Sequence, residues 1–147
     1  MKAVIQRVKN CTVLVEGNVT GSLEKGLLIY LGIHRDDTDR EVRSIAEKAV
    51  NLRIFNDENG KMNLSLKDIP GSDVLVVSQF TLYGDARKGR RPSYTEAAEP
   101  KKARLLYHAF LEYLTELGFS PAQGEFQAAM EVTYTNVGPV TILLNSR

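Results

Sequence analysis

Residues 74–82, VLVVSQFTL, decide how the rest of the chain is read. Three valines and a leucine run without a polar break from Val74 to Val77, just after the chain-turning pair Pro70-Gly71. β-Branched side chains suit a pleated surface, so a strand is expected from Val74 to Leu82. Gly26–Ile33, GLLIYLGI, is a second continuous apolar run of strand length. It has no polar face to turn to water, so it reads as a sheet strand buried on both faces. Such a sheet needs a covering layer.

Working outward, the period supplies that layer twice. Thr38-Asp39-Arg40-Glu41 fits a capping box, a hydroxyl at the N-cap with a glutamate three residues on. Val42, Ile45, Ala46, Ala49 and Leu52 follow at helical spacing. A second helix is expected to begin near Pro100 and to stop at Gly118, with Leu106, Ala109, Phe110, Tyr113, Leu114 and Leu117 on its apolar face. Further strands are expected at Val4–Val8, Thr12–Val15, Val19–Leu23, Arg53–Asn56, Met130–Thr135 and Val140–Leu144. Turns are expected at 16–18 and 57–60, a link at 136–139, and a long loop over 84–100. The expected fold class is α/β: one layered, strand-rich domain over residues 1–147, with two amphipathic helices packed on a sheet.

Composition narrows the function classes. The 147 residues are 43% hydrophobic and 25% charged with a formal net charge of +1, which excludes a disordered polyelectrolyte and a coat for long phosphate backbones. Cys11 is the single cysteine, so neither an intramolecular disulfide nor a cysteine-based zinc site is available. His34 and His108 belong to no pair at metal-ligand spacing, and no metal is expected. The start, MKAVIQRVKN, lacks an apolar signal core, and a cytoplasmic protein is the expectation.

Three places carry candidate chemistry. Ser78-Gln79-Phe80-Thr81 puts two hydroxyls and an amide at the end of an apolar strand, where open sheets place ligand sites. A bend here would also turn adjacent N–H groups toward a developing oxyanion. The same residues equally suit a polar strand end with satisfied hydroxyls. Gly138-Pro139 is the second: an X–Pro bond is only ~0.5–1 kcal/mol poorer in cis, so folded context selects the isomer. Such a corner offers bare carbonyls, or is merely a tight link between strands. The third is 84–104, where Arg87, Lys88, Arg90, Arg91, Lys101, Lys102 and Arg104 stand against Asp85, Glu96 and Glu99. That stretch carries +4 and the rest of the chain −3, a distribution suited to phosphate contacts or to a solvated loop.

Lesser features complete the reading. Gln6 and Arg7 interrupt an apolar strand, and a mid-strand arginine needs a partner or a pocket. Phe126 and Met130 suit a base-sized pocket or ordinary core packing. Neither histidine accompanies the hydroxyls, and a hydroxyl without a base is a weak nucleophile. Any hydrolysis then needs another activator, such as a group on the substrate.

Taken together, IQRV at 5–8, VEGNVTG at 15–21, GLLIYLG at 26–32, KMNLSL at 61–66, VLVVSQFTL at 74–82, RPSY at 91–94 and NVGPVT at 136–141 resemble the D-aminoacyl-tRNA deacylase family nearly end to end. The resemblance implies an α/β/β fold and hydrolysis of the ester joining a D-amino acid, or glycine, to the 3′-terminal adenosine of tRNA. It implies a homodimer; no cofactor and, with no apolar run of membrane-spanning length, no membrane partner are expected. In such a dimer Gly138–Pro139 of one subunit, as a Gly–cisPro corner, would enter the other's site. Its carbonyls would hold the substrate amino group and exclude an L side chain.

By the same resemblance Ser78, Gln79, Phe80 and Thr81 would form the floor around the ester. Phe126 and Met130 would lie near the terminal adenine, with Gln6 and Arg7 lining and bracing the site. Val137 departs from the family form, which often has an aspartate there. Two other readings stay open: a tRNA-end binding module without turnover, and a structural dimerisation protein.

Overall fold

The apolar run at 74–77 lies inside a five-stranded sheet, where both of its faces are covered. The computed structural model describes residues 1–146. Its strands are β1 (Lys2–Val15), β2 (Asn18–Gly32), β3 (Phe55–Asn56), β4 (Met62–Leu64), β5 (Asp73–Ser78), β6 (Ala122–Gln123) and β7 (Glu131–Asn145). Its helices are α1 (Asp39–Asn51) and α2 (Pro100–Glu116), with short 3-10 turns at Leu66–Asp68 and Phe80–Tyr83. The main sheet has the order β6-β5-β2-β1-β7, and β3 pairs with β4 apart from it. β1 is antiparallel to β2 and β7, whereas β2, β5 and β6 run parallel.

Alternation assigns the two faces. Leu27, Ile29, Val74 and Val76 point to the core beneath α1 and α2, with Ile45, Ala49, Phe110 and Leu114. Leu28, Leu75 and Val77 point the other way, into a second core with Val8, Cys11 and Val13. Strands that feed two cores have no polar alternation. Burial pushes the Cys11 thiol up to about 11, so the thiolate is scarce at neutral pH.

Two close backbone approaches pack β2 against its neighbours. Gly26, in the middle of β2, has φ +145, and a Cβ there would lie 1.9 Å from the Asp73 carbonyl oxygen. Seven residues before Leu28, Gly21 reaches β6, where a Cβ would lie 2.3 Å from the Gln123 carbonyl oxygen. Only glycine permits such approaches.

Thr38 caps α1 as expected, accepting from the Arg40 amide, with the Glu41 carboxylate taking the Thr38 amide at 2.8 Å. Other expectations are corrected. The pairs expected at 4–8 and 12–15, at 19–23 and 26–33, and at 130–135 and 140–144 are each one long strand. In β1 and β7 bulges, rather than chain ends, account for the polar interruptions: register shifts fall at Gln6/Val8 and Lys9/Thr12, and Asn10 has φ 51, whereas β2 runs through Glu24-Lys25 in unbroken register with β1. β5 ends at Ser78, four residues early, because the chain turns there. The expected 53–56 strand shrinks to Phe55–Asn56, and β4 and β6 are additional. On α2 the buried face is Leu106, Tyr107, Phe110, Leu111 and Leu114, while Ala109, Tyr113 and Leu117 lie at its margin.

Candidate functional site

The carboxyl ends of the parallel strands build the first half of the site. β6 pairs with β5 only through Leu75↔Ala122 and Val76↔Gln123, so Val77 and Ser78 extend past it with that side uncovered. Gln79 donates its amide to the Leu31 carbonyl at 2.8 Å and then leaves the sheet, at φ −144 and ψ 78. Phe80–Tyr83 close a 3-10 turn, in which the Leu82 amide donates to the Gln79 carbonyl and the Gly84 amide to that of Thr81. A turn of this kind leaves its first N–H groups, those of Phe80 and Thr81, without acceptors inside it. The Gln79 side-chain amide donates to the Thr81 hydroxyl.

This turn forms one wall of a cleft of about 630 Å³. Ser78, Gln79 and Phe80 face Phe126 and Met130 across it, and Tyr94, Ala97, Ala98, Pro100 and Ala103 close one side. Phe80 is 57% exposed and meets the Tyr94 ring edge-on at 5.1 Å. The Phe126 ring lies 5.7 Å from that of Tyr107, with the Arg104 guanidinium 5.2 Å from its centroid. Tyr94 is the one ionisable residue on the cleft wall among those described. No group of three or more His, Cys, Asp or Glu that would hold a metal ion occurs among the described residues. The cleft is thus apolar, with a few hydroxyls and amides and no carboxylate or imidazole. Such a site binds, orients and stabilises charge through dipoles, but supplies no general base.

The second half lies on the other side of the sheet order. Gln6 pairs with Thr141 and Val8 with Asn136, so residues 137–140 stand opposite Arg7 alone and loop out from β7. The Gly138–Pro139 peptide bond is cis, and both residues are exposed. Arg7 is only 8% exposed, and its guanidinium grips the loop from beneath. It donates to the carbonyls of Val137 and Gly138, each at 3.2 Å, and to that of Ile54 at 2.5 Å. Here is the partner that a mid-strand arginine requires: three main-chain carbonyls.

Gln6 points to the opposite face, as the strand period dictates. Its carbonyl oxygen accepts from Tyr134 Oη at 2.7 Å and its amide donates to Thr141 Oγ1 at 3.1 Å. Asn136 Nδ2 also donates to that hydroxyl, at 3.3 Å, so both ends of the loop are held.

Of the residues singled out from sequence, Ser78, Gln79, Phe80, Phe126 and Met130 meet in the cleft, and Thr81 belongs to the same turn. Gln6, Arg7, Gly138 and Pro139 do not line it; they form a separate, projecting corner of the same chain. Sequence reading missed Tyr94 and the small residues Ala97, Ala98 and Ala103. The signal for them was modest, an alanine pair just before the helix-starting Pro100. Gln127, at φ 67, was missed as well.

The family model described as D-Tyr-tRNA(Tyr) deacylase matches residues 4–145, a span that takes in both halves. The chain belongs to the D-Tyr-tRNA(Tyr) deacylase family. It is 56% identical over 147 residues to a protein of Thermosipho africanus named D-aminoacyl-tRNA deacylase, covering 100% of this chain and 98% of that one. A protein of the same name from Thermotoga petrophila is 54% identical over 146 residues, covering 99% and 97%. Among solved structures, c-Myc DNA Unwinding Element Binding Protein aligns with a TM-score of 0.91 at 38% identity, covering 100% of this chain and 99% of that chain. A probable eukaryotic D-amino acid tRNA deacylase shares the fold, with a TM-score of 0.80 at 19% identity and 97% of each chain covered. In this D-Tyr-tRNA(Tyr) deacylase family member, the α/β fold expected from the sequence is thus the fold of its structural neighbours.

Proposed function

We propose that the chain hydrolyses the ester between a D-amino acid, or glycine, and the 3′-terminal adenosine of tRNA, and spares L-aminoacyl esters. The observation that carries this reading is the end-to-end likeness to relatives named for that activity. The cleft supports it chemically. Its apolar walls suit a nucleoside, with Phe126 and Met130 against the adenine. The free N–H groups of Phe80 and Thr81 suit the oxyanion that forms as water adds to the ester carbonyl. Ser78 and Gln79 position the ester, with Gln79 also orienting the Thr81 hydroxyl.

Water is activated by the substrate. The 2′-OH of the terminal ribose takes part in moving the water proton to the departing 3′-oxygen, so that the products are the free amino acid and tRNA with its 3′-OH restored. This accounts for a cleft without a base. A 2′-deoxy terminal sugar is expected to slow hydrolysis roughly 10²–10⁴-fold, the usual worth of positioned proton transfer, and an unchanged rate would exclude the route.

Chirality selection needs the corner, and in one chain the corner lies outside the cleft. The reading therefore requires a homodimer in which Gly138–Pro139 of each subunit enters the partner's cleft. Supporting it, β7 is an edge strand of 15 residues with Leu143 73% exposed beside the projecting loop. Carbonyls of the corner hold the substrate amino group, and the backbone leaves no room for an L side chain. Val137 contributes its carbonyl to Arg7, so its side chain is free to depart from aspartate.

The reaction belongs in the cytoplasm, where tRNA is charged, as a step of translation quality control. Among the described residues no helix is long and apolar enough to cross a membrane. The test is ester loss from matched D-, L- and glycyl-tRNA. Hydrolysis of the D- and glycyl esters with L spared is expected. Equal D and L rates would refute the reading, and binding without turnover would mark a tRNA-end module instead.

A further inference from the structure

Next to the cleft, and sharing Pro100 and Gln127 with it, is a shallower hollow of about 380 Å³ completed by Lys101, Arg104 and Leu105. Its composition is unusual for the start of a helix. The first turn of α2 carries no acidic residue, although helix ends favour acids there, and holds Lys101 and Lys102 instead. Lys102 is turned aside, donating to the Arg35 carbonyl at 2.6 Å. Lys101 makes no ion pair among the described residues. Arg104 is held by uncharged partners only, donating to Gln127 Oε1 at 3.0 Å and lying over the Phe126 ring, so its charge is oriented but not neutralised. Leu105, which lines the same hollow, is 65% exposed, a large apolar side chain that the fold leaves in water.

Two positive charges, that of Arg104 held in place, beside an apolar floor fit a nucleotide: an anion for the cations and a flat base for Leu105 and Pro100. Arg104 stands on the ridge between the hollow and the cleft, since it touches Phe126 of the one and Gln127 of both. A ligand that fills both would cross it with a negative charge. We propose that the hollow is a second nucleotide subsite, which takes the penultimate nucleotide of a single-stranded RNA 3′ end. Its base lies on Leu105 and Pro100, and the phosphate joining it to the terminal adenosine lies at Lys101 and Arg104. This rests on the deacylase reading and gives the RNA strand a direction, out of the cleft across the start of α2.

The experiment uses Lys101→Glu, an exposed change that leaves the core intact, with Lys101→Arg as the conservative variant. Steady-state kinetics are measured on D-aminoacyl-tRNA and on D-aminoacyl-adenosine, which lacks the phosphate. On tRNA, Lys101→Glu is expected to raise KM about tenfold or more, with kcat kept, and to make the log–log salt dependence shallower by about 0.7 per lost phosphate contact. Lys101→Arg restores KM, and the short substrate shows neither effect. An equal effect on both substrates, or none on tRNA, overturns the subsite. If the wild-type protein cleaves neither substrate, the deacylase reading fails separately. The subsite is then decided by fluorescence anisotropy with 5′-labelled CCA trinucleotide, competed by unlabelled CCA and by adenosine. Tighter binding of CCA that Lys101→Glu abolishes supports it, and equal binding overturns it.

Discussion

Two polar interruptions of apolar strands end in opposite shapes. At Ser78 the sheet loses its neighbouring strand, the chain turns inward, and the side chains line a hollow. At Val137 the strand keeps its neighbour, the extra residues have nowhere to go but outward, and Arg7 fixes them as a projection. The first is concave and the second convex. A Cβ built on Gly138 meets nothing within 4 Å, so packing within its own chain does not demand glycine there. In the proposed dimer the convex half of each copy completes the concave half of the other.

The largest effect expected from breaking this pairing is at Arg7. Arg7→Ala strips three carbonyls of their donor, and since only the bond to Ile54 is buried, about 1–3 kcal/mol of stability should go. Loosening the corner by an ångström is expected to cost about 100-fold in kcat/KM on D-aminoacyl-tRNA, with lowered D-over-L preference. Denaturant unfolding and single-turnover deacylation measure the two. Arg7→Lys, a single donor point, should recover stability better than selectivity. Damage confined to the cleft reads differently. Phe126→Ala removes a face for the base and is expected to raise KM on the order of tenfold, with D-over-L preference intact. Thr81→Ala should retain activity within about tenfold, because the proton route runs through the substrate. Complete loss in a folded protein would give the hydroxyl the leading role.

The smallest effect belongs to the loop over 84–99. Arg87 hydrogen bonds hold the Asp85 carboxyl down to about 2, from an ordinary value of 3.8. A lowered pKa stabilises above the ordinary value and ceases to do so as pH falls through about 2. Asp85 should therefore stay ionised at pH 3 in an NMR titration. Asp85→Asn is expected to leave deacylation within about twofold, since exposed pairs contribute little.

Much of this was legible in the chain itself, for reasons that differ from place to place. The apolar runs at 27–31 and 74–77 announced a doubly covered sheet because strands buried on two faces leave no room for polar alternation. The Thr38–Glu41 box located α1 because capping is local chemistry. Long β1 and β7 read as pairs of strands because a bulge and a chain end look alike when only neighbours in sequence are compared. The cleft wall at 94–103 was missed because alanines carry no chemical signal, and their role is to be small next to Phe126 and Ser78. That Gln6 and Arg7 serve the corner follows from strand register, which spacing along one strand does not encode.

The decisive measurement pairs two defects in one dimer. Gly138→Ala should leave stability within about 0.5 kcal/mol, as an exposed change, yet cost about 100-fold in deacylation. A double substitution, Gln79→Ala with Phe126→Ala, disables the cleft and leaves the corner sound. Co-expressed at equal levels, the two chains form mixed dimers in which one site joins an intact cleft to an intact corner. The account predicts recovery to about one quarter of wild-type D-aminoacyl-tRNA hydrolysis, since half the dimers are mixed and each has one of two sites restored. Activity no higher than the average of the two separate variants would contradict it.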